Sequence, residues 1–114
     1  ELDLSVLPWP KGNYGAAVET NFEYQKKIDP YKDGLPKAKA KEADDFYIKL
    51  FDIYLRHSKD LTRVTFWGVT DGDSWKNGFP VRGRTDYPLA FDRKMKPKGF
   101  VKTIVEMAQS DKYN

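Results

Sequence analysis

The side chains best equipped for chemistry are two carboxylates, Glu1 and Asp3, three tryptophans, Trp9, Trp67 and Trp75, and two arginines, Arg82 and Arg84. Leu2, Leu4 and Val6 alternate with Asp3 and Ser5, a strand pattern in which Glu1 and Asp3, two apart, share one face. An ionised carboxylate can attack as a nucleophile when hydrogen bonds or nearby positive charge hold its pKa low. From its position alone, however, Glu1 is a solvated end residue. An indole offers a flat apolar face, which fills a core or stacks on a planar ligand or on the C–H face of a sugar. Trp67 sits in an apolar run, where core packing and the floor of a site are equally open readings. Trp75 lies in a loop rich in Gly and polar residues, where an exposed indole needs a reason. Arg82 and Arg84 flank Gly83, and a guanidinium fork either fixes a loop by pairing with a carboxylate or hydrogen-bonds sugar hydroxyls. Loop fixing is expected of at least one of them.

The elements that must position these residues follow from periodicity. Glu1 to Leu7 reads as the end of a strand, stopped by Pro8 and Pro10. A loop rich in Pro, Gly, Asn and Lys runs to about Ala38, with one helical turn around Asn21–Ile28. Ala43, Phe46, Leu50, Ile53 or Tyr54, and His57 form one apolar stripe, so Ala40 to about His57 is expected to be a helix. Thr62 to Val69 is expected as a strand, apolar on both faces in its second half, as a buried parallel strand is. A second loop, Asp71 to about Pro97, precedes a helix from Lys98 to Gln109 with Phe100, Val101, Ile104, Val105 and Ala108 inside. Strand, loop, helix, twice over, is two successive β/α units. Two strands alone make no independent parallel sheet, because their backbone groups lack partners. The loops run to roughly thirty residues each, far beyond the usual ~4–6. Long loops on the strand-to-helix side are where barrel enzymes build active sites. The residues therefore read as a piece of a larger α/β barrel carrying two active-site loops, not expected to fold alone.

Composition narrows the classes. Apolar residues at 39% and charged residues at 32% are ordinary for a globular chain, while aromatics at 15% are not. The net charge of +3 comes from interleaved Lys, Arg, Asp and Glu without a one-signed block, which argues against a nucleic-acid partner. With no cysteine and a single histidine, His57, in a helical pattern, a disulfide framework is excluded and a metal centre is not expected. No run approaches the ~18 apolar residues of a membrane span.

Four stretches, taken in order, resemble the C-terminal part of glycoside hydrolase family 10, the (β/α)8-barrel endo-β-1,4-xylanases. They are Glu1-Leu2-Asp3, then Thr65-Phe66-Trp67-Gly68-Val69-Thr70-Asp71, then Ser74-Trp75, then Arg82-Gly83-Arg84-Thr85-Asp86-Tyr87-Pro88-Leu89-Ala90-Phe91-Asp92. The resemblance runs from Glu1 to about Gln109. It implies an α/β fold class, the C-terminal quarter (about strand 7 end to helix 8) of a TIM barrel, incomplete alone. Residues 1–114 are then a fragment of one catalytic domain. It implies Glu1 as the nucleophile at the carboxyl end of the seventh strand, and Asp3 in the hydrogen-bonded network that orients it. Trp67 and Trp75 match tryptophans lining the glycone-side subsites next to the cleavage point. Arg82 is a candidate substrate contact, and Trp9 serves either a leaving-group-side subsite or a lid on the barrel rim. The segment from Tyr87 to Asp92 is expected to anchor the last helix.

What the resemblance leaves out is as informative. The fourth strand's acid/base, the sixth strand's His and everything on strands one to six are missing, so this chain alone is expected to be inactive. The remainder of the barrel, as a second chain or fragment, is an expected partner beside xylan or xylo-oligosaccharide. No metal, organic cofactor, nucleic acid or membrane is expected to take part. The parent enzyme is expected to be secreted or in the cell envelope, since its polymeric substrate cannot enter a cell. A non-catalytic carbohydrate-binding module would also use Trp and Tyr platforms, but such modules are mostly β-sandwiches, against the helix and the β/α alternation here. An aromatic-rich binder of single-stranded nucleic acid would need a basic groove that the charge pattern does not supply.

Overall fold

The computed structural model describes residues 2, 4–8 and 26–113. Helix α1 spans Lys37–Arg56 and helix α2 spans Gly99–Gln109. α1 begins three residues before the start read from its apolar stripe, directly after Pro36. Its first turn, Lys37 to Lys39, is exposed and has no inward residue to give it away. Residues 26–28 are helical too, within the turn expected there.

The buried line of α1 differs from the expected one. Tyr47 is the fully buried residue, whereas Phe46 (57% exposed) and Ile53 (44%) face outward. His57 is exposed as well. The apolar arc of α1 is wide enough to serve two neighbours. One side carries Tyr47 and Phe51 against Phe66 and Phe100, with Tyr47 stacked 4.4 Å from Phe100. The other side, Phe46, Leu50 and Tyr54, lines a groove. On α2, Phe100 is buried and Val101 and Ile104 are half-buried, but Val105 and Ala108, expected inside, are exposed.

The core joins Leu2, Tyr47 and Phe100. Tyr47 also donates a buried hydrogen bond to the Pro88 carbonyl (2.6 Å), tying α1 to the segment that feeds α2. α2 lacks a side-chain cap from its own N-cap residue, Lys98. The Asp44 carboxylate of α1 accepts from the Phe100 backbone N–H instead, a negative charge at the positive end of the helix. Burial pushes the Asp44 carboxyl up. Gly99 leaves room for this cap, since a Cβ there would lie 2.8 Å from Asp44 Oδ2.

The stretch Thr62–Val69 is not a continuous strand among the described residues. It contributes a parallel bridge, Leu2 to Phe66, with Leu2 N–H donating to the Thr65 carbonyl (2.8 Å). A second parallel bridge links Thr70 to Phe91, and an antiparallel one links Phe91 to Pro97. A strand is defined by its neighbours. Among the described residues Leu2 is the one partner bridged to this stretch before Thr70. Val69, expected on a buried strand, is 63% exposed, and Trp67, for which core and site floor were both open, is 57% exposed.

Gly68, next to Trp67, has φ +135°, and a Cβ built there would lie 2.9 Å from Leu89 Cδ1. Leu89 is fully buried, so its side chain would have to shift within the packed interior. Gly68→Ala should therefore combine backbone strain with overpacking and cost roughly 2–4 kcal/mol. A lower denaturant midpoint at unchanged m-value is the expected readout, and an unshifted midpoint would contradict it.

Candidate active site

Trp67 and Trp75 line one open groove together with Leu2, Leu4, Phe46, Leu50 and Tyr54. Both indoles are substantially exposed, Trp75 at 44%. Trp67 is held at the end of the short stretch paired to Leu2, with Phe66 before it turned into the core. Trp75 opens a 3-10 turn, Trp75–Asn77, that directly follows another, Asp71–Asp73. Ser74 sits buried between them and its Oγ accepts from Lys76 N–H (3.1 Å). Phe79 stacks on the Trp75 indole at 5.3 Å, and the Lys76 ammonium lies 4.6 Å from its centroid. A flat apolar ring beside polar rims is what a sugar needs, because its C–H faces are apolar and its edges carry hydroxyls.

The turn carrying Trp75 is built on Asp71, a fully buried carboxylate. Its Oδ1 accepts from Leu89 N–H (2.8 Å) and from Lys98 Nζ (3.0 Å), and Nζ is 2.9 Å from Oδ2. Lys98 also donates to the Tyr87 carbonyl (2.8 Å). Burial pushes the Asp71 carboxyl up and the Lys98 ammonium down, each opposed by the charge of the other. The pair fastens the first turn of the loop to its last residues, where α2 starts.

Arg84, Asp86 and Tyr87 clasp the second loop to the first. Arg84 is buried and its Nη1 donates to the carbonyls of Pro8 (2.9 Å) and Ile28 (3.0 Å). Arg84 is therefore a loop-fixing arginine, through carbonyls of two segments distant in the chain. Arg82 is exposed. The buried Asp86 carboxylate accepts from Ser5 Oγ, Val6 N–H (3.1 Å) and Tyr87 N–H (2.8 Å). Thr85 N–H donates to Asp29 Oδ1 (2.9 Å), and the Tyr87 hydroxyl donates to the Tyr31 carbonyl (2.7 Å). Beyond the clasp, Asp92 Oδ1 accepts from Lys94 and Lys96 N–H and closes the turn before α2. The segment from Tyr87 to Asp92 does anchor the last helix.

Glu1, Asp3 and Trp9 lie outside the described residues. The structure thus brings Trp67 and Trp75 together, and Arg82 is exposed. Sequence reasoning assigned no role to Asp71, Asn77, Asp86 or Lys98. Asp71 and Asp86 stand within the motif stretches without a role of their own, and Asn77 and Lys98 look like ordinary polar residues. Their partners in the fold give all four their function. Among the described residues no group of three or more His, Asp or Glu could hold a metal ion, and no helix is long and apolar enough to cross a membrane.

Comparison with known proteins gives one answer. The chain is 47% identical over 107 residues to an endo-1,4-beta-xylanase A of Xylanibacter ruminicola, a match covering 94% of this chain and 29% of the relative. It is 36% identical over 98 residues to endo-1,4-beta-xylanase A of Caldicellulosiruptor saccharolyticus, covering 86% of this chain and 24% of the relative. Among solved structures, a GH10 endoxylanase from a sugarcane soil metagenome superposes with a TM-score of 0.78 at 40% identity, over 96% of this chain and 29% of that one. A mutant solved in complex with xylotriose superposes with a TM-score of 0.70 at 30% identity, over 93% of this chain and 27% of that one. The chain thus spans less than a third of the length of these relatives. With residues 1–107 matching the sequence profile of glycosyl hydrolase family 10, and with its structural neighbours in that family, the chain belongs to glycosyl hydrolase family 10, a family of (β/α)8 barrels.

Proposed function

We propose that the protein carrying this chain is a retaining endo-1,4-β-xylanase, which hydrolyses internal β-1,4-xylosidic bonds of xylan and xylo-oligosaccharides. In this reading residues 1–114 form the C-terminal fragment of one catalytic domain, from the end of strand 7 to helix 8. Glu1 is the nucleophile and Asp3 orients it, while Trp67 and Trp75 are the shelf on which the glycone-side rings lie. Arg82 and Trp9 add further substrate contacts.

The observation that carries the reading is that Leu2, whose sequence neighbours are Glu1 and Asp3, lines one groove with both indoles. Leu2 itself also belongs to the core with Tyr47 and Phe100, so the segment is fixed against both helices. The chemistry then runs in two displacements. The Glu1 carboxylate attacks the anomeric carbon as the glycosidic C–O bond breaks and a carboxylic acid protonates the leaving oxygen. Water, deprotonated by that same group, displaces Glu1 from the glycosyl-enzyme, and two inversions give net retention. The second carboxyl must lie about 5–5.5 Å from the first. The buried carboxylates among the described residues, Asp71 and Asp86, are both engaged in structural bonds. The acid/base is therefore assigned to the rest of the barrel, strands 1–6, which this chain needs as its partner. No metal or organic cofactor is called for. The substrate is a polymer too large to enter a cell, so the working location is outside the cell or in its envelope.

Proton NMR of the first products from xylohexaose and the intact protein tests the reading. The β anomer should appear first and relax by mutarotation. An α anomer formed first would exclude a Glu1 nucleophile, and no cleavage at all would sink the xylanase assignment.

A further inference from the structure

Asn77 closes the turn that carries Trp75 and makes three side-chain hydrogen bonds. Its Nδ2 donates to the Asp71 carbonyl (2.9 Å), and its Oδ1 accepts from Asp86 N–H (2.8 Å) and Arg93 Nη2 (3.0 Å). The carboxamide has one workable orientation here. Flipped, it would aim its NH2 at two donors and its oxygen at a carbonyl. The backbone of Asn77 adds to the hub, since Arg84 N–H donates to its carbonyl (2.9 Å) and its own N–H donates to Ser74 (3.2 Å). From Asp86 the connection continues to Ser5 and Val6, the stretch that follows Glu1-Leu2-Asp3. Trp75 lines the groove together with Leu2 and Leu4 of the N-terminal stretch, and Asn77 with Asp86 is a polar link between the two.

We propose that Asn77 is a positioning residue for Trp75, which sets the spacing between the indole shelf and the segment carrying Glu1. The inference rests on the reading of Trp75 as a sugar platform. Asn77 touches no substrate itself. It works by holding the 3-10 turn, and so the indole, in register with the Asp86 clasp. Removing its carboxamide takes away three of the hydrogen bonds that hold the turn carrying Trp75, and a displaced shelf misplaces the sugar at the point of attack.

A double-mutant cycle on the intact protein tests this, with kcat/KM for xylotetraose as the readout and thermal unfolding measured alongside. Trp75→Ala should lower kcat/KM on the order of 10–100-fold, and Asn77→Ala about tenfold, as expected for misplacement of a reacting group by around 1 Å. In the double variant the loss should equal that of Trp75→Ala alone, because a residue acting through Trp75 has nothing left to position. A merely structural Asn77 would lower the melting temperature and add its loss in full. Asn77→Asp keeps the acceptor and turns an oxygen toward the Asp71 carbonyl, so it should fall between wild type and Asn77→Ala, and it replaces Asn77→Ala in the cycle if that variant does not fold. Full additivity overturns the positioning role while leaving the platform intact. An unchanged kcat/KM for Trp75→Ala overturns the platform reading and this inference with it.

Discussion

Glu1→Gln in the intact protein should lower kcat on xylo-oligosaccharides by ~10⁴-fold or more, the scale on which enzymes lose rate when their nucleophile is removed. Glutamine matches glutamate in shape but carries no charge, and a carboxamide does not attack an anomeric carbon. The substitution leaves the shelf of Trp67 and Trp75 and the clasp around Asp86 untouched, so xylotriose binding and the melting temperature should barely move. That separation of rate from binding distinguishes a nucleophile from a residue that merely shapes the groove. Glu1→Ala carries the test further, because it leaves space where the carboxylate stood. Azide entering that space should restore cleavage of an aryl xylobioside and yield the α-glycosyl azide, the product of a single inversion from the nucleophile's side. A Glu1→Gln variant within tenfold of wild type would refute the assignment, and an azide product of β configuration would place the nucleophile elsewhere.

The two halves of this site differ in how far they could be read from sequence. The helices were legible because a 3.6-residue apolar period survives in any context, and both lie within three residues of their expected starts. Which line of α1 is innermost was not legible. Its apolar arc is wide, and only tertiary neighbours decide that Tyr47 rather than Phe46 turns inward. Trp67 and Trp75 were readable as a pair because an order of short motifs fixes them, and they do share one groove. The supports beneath them were not. Arg82 and Arg84 flank the same glycine, yet one is exposed and the other is buried. The difference is made by carbonyls 76 and 56 residues away in the chain, a distance at which local pattern carries no information. The strand over Thr62–Val69 shows the converse limit. Its residues favour extension, but a ladder exists only where a neighbour supplies the hydrogen bonds.

Asp71→Asn should be the most damaging substitution for stability, at ~3–5 kcal/mol, the cost of leaving one member of a buried ion pair without its partner. Asparagine still offers an oxygen to Leu89 N–H, so little is lost from that bond. The damage lies with Lys98, whose ammonium is kept largely from water and would be left with a carboxamide, the Tyr87 carbonyl and the weaker influence of the Asp44 and Asp86 carboxylates. Adding Lys98→Met should recover part of the loss, because the second substitution removes the stranded charge while giving up about 1 kcal/mol for its bond to Tyr87. The pH dependence has a definite sign. Burial already holds the Lys98 pKa below the ordinary lysine value, and Asp71 is the largest influence raising it. Without that influence the folded protein binds fewer protons than the unfolded chain over a wider alkaline range, and stability rises with pH wherever the unfolded state holds more protons. The deficit of Asp71→Asn should therefore shrink as the pH is raised from neutrality, and the deficit of the double variant should not follow it. Urea denaturation of the three proteins across that range gives the answer. A single variant within about 1 kcal/mol of wild type would mean that relaxation or entering water solvates Lys98 after the carboxylate is gone, against the burial argued for the pair.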